Sequence, residues 1–152
     1  WPVGTLLAQS FDPEILEQVG CGMAADMQAM RIDLLLGPGM NIQRDPTCGR
    51  NFEYFSEDPL ISGKMASAMV RGLQSLPGGG GCIKHYAANN QETNRNAVDS
   101  VIGQRALREI YLEPYKIAIQ ESQPLSIMSS YNLINGVPTA DSYDLCTGGR
   151  LL

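Results

Sequence analysis

Lys84-His85-Tyr86 closes a short apolar run that begins at Cys82, and His85 is the only histidine in the chain. A lysine inside such a run is costly unless partnered, because a buried charge must be paired. Beside the only imidazole, at a strand's carboxyl end, it points to a polar pocket. The plainer reading is an edge strand with both side chains in water. Arg95 follows in the polar loop that starts at Ala87. Tyr131 follows a third apolar run, Leu125 to Ser130, and is either core or turns its hydroxyl to the same pocket. Arg50 sits in another long loop, Gly37 to Asp58, that mixes arginine, carboxylates, amides and aromatics. Its guanidinium offers five fixed donors, suited to neighbouring hydroxyls or a carboxylate. Arg50, Lys84, His85, Arg95 and Tyr131 together would form a donor-rich pocket, and a saccharide needs such dense, directional hydrogen bonding. A phosphate would accept the same cations. However, Gly78 to Gly81 precedes a strand instead of opening a helix and is not followed by Gly-Lys-Ser or Gly-Lys-Thr, which argues against a P-loop. Lys84 and His85 are neighbours, and neighbours on a regular strand face opposite ways. If both line the pocket, the backbone needs a bulge or a non-proline cis peptide at Lys84–His85 or His85–Tyr86.

The elements that must hold these residues alternate between helix and strand. Asp12-Pro13 reads as an N-cap with proline at the first helical position, followed by apolar residues at Ile15, Leu16, Val19, Met23, Met27 and Met30. Ile32 to Leu36 reads as a buried strand. Asp58-Pro59 repeats the cap, with Ile61, Met65, Ala68, Met69, Gly72 and Leu73 on one helical face. Cys82 to Tyr86 is a second strand. A third helix starts near Ala106, kinks at Pro114 and runs to about Ser122. Leu125 to Ser130 is a third strand, and Asn135-Gly136 marks a turn. Such alternation implies parallel pairing, and chemistry in α/β folds sits at the carboxyl ends of the strands. Those ends are where the two long loops lie. A doubly wound sheet and a segment of a (β/α)8 barrel both fit, whereas a whole barrel needs about 250 residues and this chain has 152.

Bulk properties narrow the function. The charged fraction is 18% and the apolar fraction 43%, which argues for an ordinary folded domain. A net charge of −5 without a basic run argues against nucleic acid and anionic membrane as partners. No apolar stretch approaches a bilayer span, and no signal peptide is visible. Cys21, Cys48, Cys82 and Cys146 show no CxxC spacing, so no metal site is expected. They read as free thiols in a reducing, cytoplasmic compartment, with disulfides in a secreted enzyme as the alternative. A start at Trp1-Pro2 and a tail from Gly148 suggest an incomplete chain.

Four blocks carry a family resemblance. They are Asn41-Ile42-x-Arg44-Asp45-Pro46 through Gly49-Arg50-Asn51-Phe52-Glu53-Tyr54-Phe55-Ser56-Glu57-Asp58-Pro59; Lys84-His85 with Asn90-Gln91-Glu92-Thr93-Asn94-Arg95; Ala106 to Leu112; and Met128-Ser129-Ser130-Tyr131-Asn132-x-x-Asn135-Gly136. In content, order and spacing they are similar to the N-terminal catalytic domain of family 3 glycoside hydrolases, to about Leu145. The resemblance implies that residues 1–152 are a fragment of that α/β domain, an incomplete (β/α)8 TIM-type barrel of about three strand–helix units without a second domain. It implies a β-glucosidase-like enzyme that hydrolyses terminal β-glucosyl residues with retention and needs no cofactor. Arg50, Lys84, His85, Arg95 and Tyr131 would then line the subsite for the non-reducing sugar of a β-glucoside or small oligosaccharide. Where the family's N-acetylglucosaminidase branch carries a Gly-His-Gly type motif, this chain reads Ala87-Ala88-Asn89-Asn90, which favours the glucosidase or xylosidase branch.

The resemblance also exposes gaps. The family's nucleophile is an aspartate in a Ser-Asp-Trp context after the fourth block, and its acid/base lies in a later domain. Neither is in this chain, so no catalytic residue is assigned and both carboxylates are expected beyond Leu152. Glu53, Glu57, Asp58, Glu92 and Asp99 read better as loop ion pairs or caps. The isolated chain is expected to be inactive and to self-associate through open barrel edges. The alternatives are a sugar-binding relative without catalysis, a β-xylosidase and, far behind, an oxidoreductase, which would need a GxGxxG turn.

Overall fold

In a computed structural model, residues 1–147 are described. A short helix, α1 (Gly4–Ala8), precedes α2 (Pro13–Met30). Asp12 caps α2, its Oδ1 accepting the Glu14 N–H at 2.9 Å, and Arg31 ends it in the left-handed region. β1 (Leu34–Leu35) leads into the first long loop, which carries one 3₁₀ turn at Asn51–Glu53. α3 (Pro59–Leu73) starts at Asp58, whose Oδ1 accepts from Leu60 and Ile61 at 2.7 and 3.0 Å. β2 (Gly80–Tyr86) follows, then the second long loop with β3 (Asp99–Ser100). α4 (Gln104–Ala106) passes into a π turn over Leu107–Tyr111 and then α5 (Glu113–Ser122). The described chain ends with β4 (Ser126–Ser129), β5 (Leu133–Ile134), β6 (Val137–Pro138) and α6 (Tyr143–Cys146).

The main sheet has the order β1-β2-β4, and both of its pairings are parallel. With α3 and α5 as crossovers, this is a βαβαβ run, the parallel pairing expected from the alternation, and it fits the incomplete (β/α)8 barrel that the family resemblance implies. α3 lies between α2 and α5, its Met65, Ala66, Ala68, Met69, Val70 and Leu73 buried in the core. The contact between α2 and α3 is backbone to backbone. A Cβ on Gly72 would stand 2.2 Å from the Glu17 carbonyl oxygen and 2.7 Å from the Gly20 Cα, so only glycine lets the two helices cross there.

Four expectations need correction. Gly80 and Gly81, expected to precede the second strand, are its first two residues, and glycine is required at 80 because a Cβ there would strike Leu125 at 2.8 Å. The first strand is two residues long instead of five. The third helix breaks before Pro114, at a π turn closed by Leu112 N–H to Leu107 O at 2.9 Å, so proline starts α5 and does not kink it. The loop from Ala87 is partly ordered as a second sheet, β3-β5-β6. Its β5–β6 hairpin turns at Asn135-Gly136, with φ of 51° and 84°, the positive pair such a two-residue turn requires. Cys21, Cys48, Cys82 and Cys146 are all free thiols. Among the described residues no cluster of side chains could hold a metal, and no helix is long and apolar enough to cross a membrane. The tail from Gly148 lies outside the described residues.

Candidate functional site

β2 is the central strand of its sheet, so the reading of Lys84 and His85 as solvated edge residues fails. His85 is 6% exposed and the Lys84 side chain 15%. The expected irregularity is present: the β2–β4 register shifts between Ile83 and Tyr86, and the Lys84–His85 peptide is cis, as is Tyr86–Ala87. The two side chains meet adjacent residues, Lys84 the end of the 3₁₀ turn and His85 the tyrosine that follows it. Lys84 Nζ lies 3.1 Å from Glu53 Oε2, and His85 Nδ1 lies 3.2 Å from the Tyr54 hydroxyl.

The main chain at His85 is held from two sides. Asn41, buried at the end of the Gly37–Met40 segment, donates Nδ2–H to His85 O and accepts His85 N–H on Oδ1, each at 2.8 Å. Tyr115, fully buried on α5, donates its hydroxyl to the same His85 O at 2.8 Å. Asn41 Oδ1 also lies 3.2 Å from the ring Nδ1. That oxygen offers only lone pairs, so the neutral ring that fits the contact carries its hydrogen on Nδ1 and leaves Nε2 a lone pair. Burial, then the positive charges of Arg50 and Lys84, hold the imidazole down to about 4, so it is neutral at pH 7.

Arg50 joins this cluster through Glu53, with Nε 2.5 Å from Oε1. Glu53 therefore bridges Arg50 and Lys84. Burial pushes its carboxyl up, but hydrogen bonds from Arg50 and Lys84 outweigh it and hold the group below the usual carboxylate range. Arg95 and Tyr131 form a second cluster. Arg95 Nη1 lies 2.9 Å from Glu92 Oε2, and the guanidinium carbon sits 5.2 Å from the centre of the Tyr131 ring. Asn89 donates to the other Glu92 oxygen at 2.9 Å. Tyr131 is 65% exposed, which rules out the core reading. Its neighbours are the anchors: Ser130 and Asn132 both donate to Ala87 O, at 2.9 and 3.2 Å. Asn89 links the two clusters, since it donates to Glu92 and its side chain also acts on the Tyr54 hydroxyl. Glu92 connects them electrostatically, since its charge acts on both Arg50 and His85.

All five sequence-predicted residues thus lie in two neighbouring clusters at the carboxyl ends of β2 and β4 and in the loop after β1. Asn41, Tyr54, Asn89 and Tyr115 were missed as site residues. The two Asn41 hydrogen bonds to His85 span 44 positions, and no local signal announces them. Three of the five carboxylates are occupied as the sequence suggested, Glu53 and Glu92 in ion pairs and Asp58 as a cap; Asp99 instead holds a turn, accepting the Gly136 N–H at 3.0 Å, and Glu57 is exposed without an ion pair among the described residues.

A parallel α/β segment whose strand ends carry paired cations, a neutral imidazole and an exposed tyrosine defines a donor-rich binding scaffold of the barrel type. The chain belongs to glycosyl hydrolase family 3: the family's description, "Glycosyl hydrolase family 3 N terminal domain", matches residues 1–148. It is 51% identical to a beta-glucosidase of Ruminococcus albus over 146 residues, which is 96% of this chain and 15% of that protein. It is 46% identical to an exo-alpha-(1->6)-L-arabinopyranosidase of Bifidobacterium longum, covering 97% of this chain and 19% of that one. The structure of beta-glucosidase 3B from Thermotoga neapolitana in complex with alpha-D-glucose superposes with a TM-score of 0.95 at 50% identity, over 98% of this chain and 21% of that chain. The chain therefore spans less than a fifth of the length of these curated relatives.

Proposed function

We propose that this chain supplies part of the glycone-binding subsite of a retaining β-glucosidase, with Arg50, Lys84, His85, Arg95 and Tyr131 contacting the terminal sugar. The observation that carries the reading is the gathering of Arg50, Lys84 and His85 around Glu53 and Tyr54. Two cations that share one carboxylate and a neutral imidazole thus stand in one cluster, a set suited to vicinal hydroxyls. The retaining reaction also needs two carboxylates about 5 Å apart, one as nucleophile and one as acid/base. Glu53, Asp58, Glu92 and Asp99 already serve ion pairs, a cap and a turn, and Glu57 is exposed beside the Asp58 cap, so these groups do not supply that pair. The likeness to an arabinopyranosidase supports a second reading, a terminal pentopyranosyl unit such as xylose, in the same subsite. The outer edges of β1 and β4 pair with no strand among the described residues, which supports self-association of the isolated chain, readable by light scattering.

The test has two arms. Methyl β-D-glucopyranoside and methyl β-D-xylopyranoside are titrated into the 15N-labelled chain, with shifts read at Arg50, Lys84, His85 and Arg95. Turnover of a chromogenic β-glucoside is measured with Glu92→Gln as control. Saturable shifts at those residues without turnover are expected. No shift at any of them, or turnover abolished by Glu92→Gln, contradicts the reading.

A further inference from the structure

We propose that Glu53 and Glu92 are built-in counterions that make this site accept an uncharged glycone and reject an anionic one, a hexuronate above all. The proposal rests on the sugar-binding reading above and adds to it a substrate class and the residues that set it.

Arg50 and Lys84 converge on opposite oxygens of one carboxylate: Arg50 Nε on Glu53 Oε1 at 2.5 Å and Lys84 Nζ on Glu53 Oε2 at 3.1 Å. Arg95 meets Glu92 at 2.9 Å, and the second Glu92 oxygen is taken by Asn89. Three cations thus face two carboxylates, and His85 adds no charge at neutral pH. Room for the Glu53 carboxylate is kept by Gly39, where a Cβ would stand 3.2 Å from Glu53 Oε2 and 3.1 Å from the Tyr54 ring. Glu53 stays ionised at neutral pH, because the hydrogen bonds of Arg50 and Lys84 outweigh the effect of burial.

This arrangement treats neutral and anionic ligands differently. A guanidinium has five N–H donors and an ammonium three, so Arg50 and Lys84 keep donors for sugar hydroxyls while paired with Glu53. A uronate carboxylate must instead displace Glu53 or Glu92 or lie beside one of them, and like charges a few ångströms apart repel. Discrimination built on a repulsive element is removed when that element is neutralised. Glu53→Gln would keep the shape and free two cations, and Glu92→Gln would free one on the more exposed pair.

The experiment titrates methyl β-D-glucuronide and methyl β-D-glucopyranoside into the wild-type chain, Glu53→Gln, Glu92→Gln and Glu53→Asp, reading side-chain shifts at Arg50, Lys84 and Arg95. Each variant is first checked for a wild-type amide spectrum. A gain of about tenfold or more in glucuronide affinity is expected for Glu53→Gln and Glu92→Gln, as for one charge-assisted hydrogen bond made available. Glu53→Asp, which keeps the charge, should show no gain. If Glu53→Gln does not fold, Glu92→Gln decides. Folded glutamine variants that gain no glucuronide affinity, or a gain shared by Glu53→Asp, overturn the proposal. Failure of the neutral glucoside to bind the wild type counts against the sugar-binding reading and the acceptance half of the proposal, whereas the rejection of anions stands or falls on the glucuronide gain.

Discussion

Asn41→Ala should destabilise the chain more than Tyr115→Phe, although both residues hydrogen-bond to the same carbonyl. Asn41 makes two 2.8 Å hydrogen bonds to His85, one to each main-chain group. Removing its amide leaves His85 O with the Tyr115 hydroxyl but strips the buried N–H of its acceptor. An orphaned buried donor costs about 1–3 kcal/mol, and the hydrogen bond lost from the carbonyl adds about 1 kcal/mol. The expected loss is therefore about 2–4 kcal/mol. In Tyr115→Phe the carbonyl keeps Asn41, no group is orphaned, and the loss should be about 1 kcal/mol. Urea denaturation by linear extrapolation gives both values, and the double variant measures their coupling. Equal losses, or a larger loss for Tyr115→Phe, would refute the clamp.

Two further outcomes follow from packing and charge. Gly72→Ala would place a methyl 2.2 Å from the Glu17 carbonyl oxygen and should cost about 1–3 kcal/mol even after the gain in helix propensity, whereas Gly49→Ala meets nothing within 4 Å and should stay within about 0.5 kcal/mol; a Gly72→Ala chain with an unchanged melt would show that the helices do not cross there. His85 is held to about 4 in the fold against an ordinary 6.5, so the unfolded chain binds a proton first as pH falls. Stability should be full above pH 6.5 and drop by up to about 3 kcal/mol on the way to pH 4, with His85→Gln flattening the slope; below that, Glu53 loses its contribution as pH falls through its lowered value. Equal urea midpoints at pH 7 and pH 4.5 would contradict the burial of a neutral ring.

Local signals proved readable because their physics is local. Asp12-Pro13 and Asp58-Pro59 start helices with the N–H bonds their types predict, and Asn135-Gly136 makes the hairpin turn. The three parallel strands follow from short apolar runs between helices. The second sheet was invisible because β3, β5 and β6 are two residues each, too short for any period. The third helix was misread at Pro114 because the π turn that breaks it precedes the proline and depends on packing. In the site, the charged types at the strand ends marked Lys84, His85 and Arg50. Their order around Glu53 was not legible, since Glu53 and Lys84 are distant in sequence and meet only when the first loop folds over the end of β2. The same distance hides Asn41 and Tyr115. Tyr131 was left open between core and pocket, and its exposure is decided by Ser130 and Asn132 on either side of it.

The most direct test of the sugar-subsite claim exchanges residues 1–147 for the matching segment of beta-glucosidase 3B from Thermotoga neapolitana, which is 50% identical to this chain. Such a chimera should hydrolyse a chromogenic β-glucoside. Lys84→Met and Arg50→Met should each lower kcat/KM by about tenfold to a hundredfold, as expected for a lost hydrogen bond to a charged donor. A folded chimera with no β-glucosidase activity, or one whose kcat/KM is unchanged by both substitutions, would contradict the account.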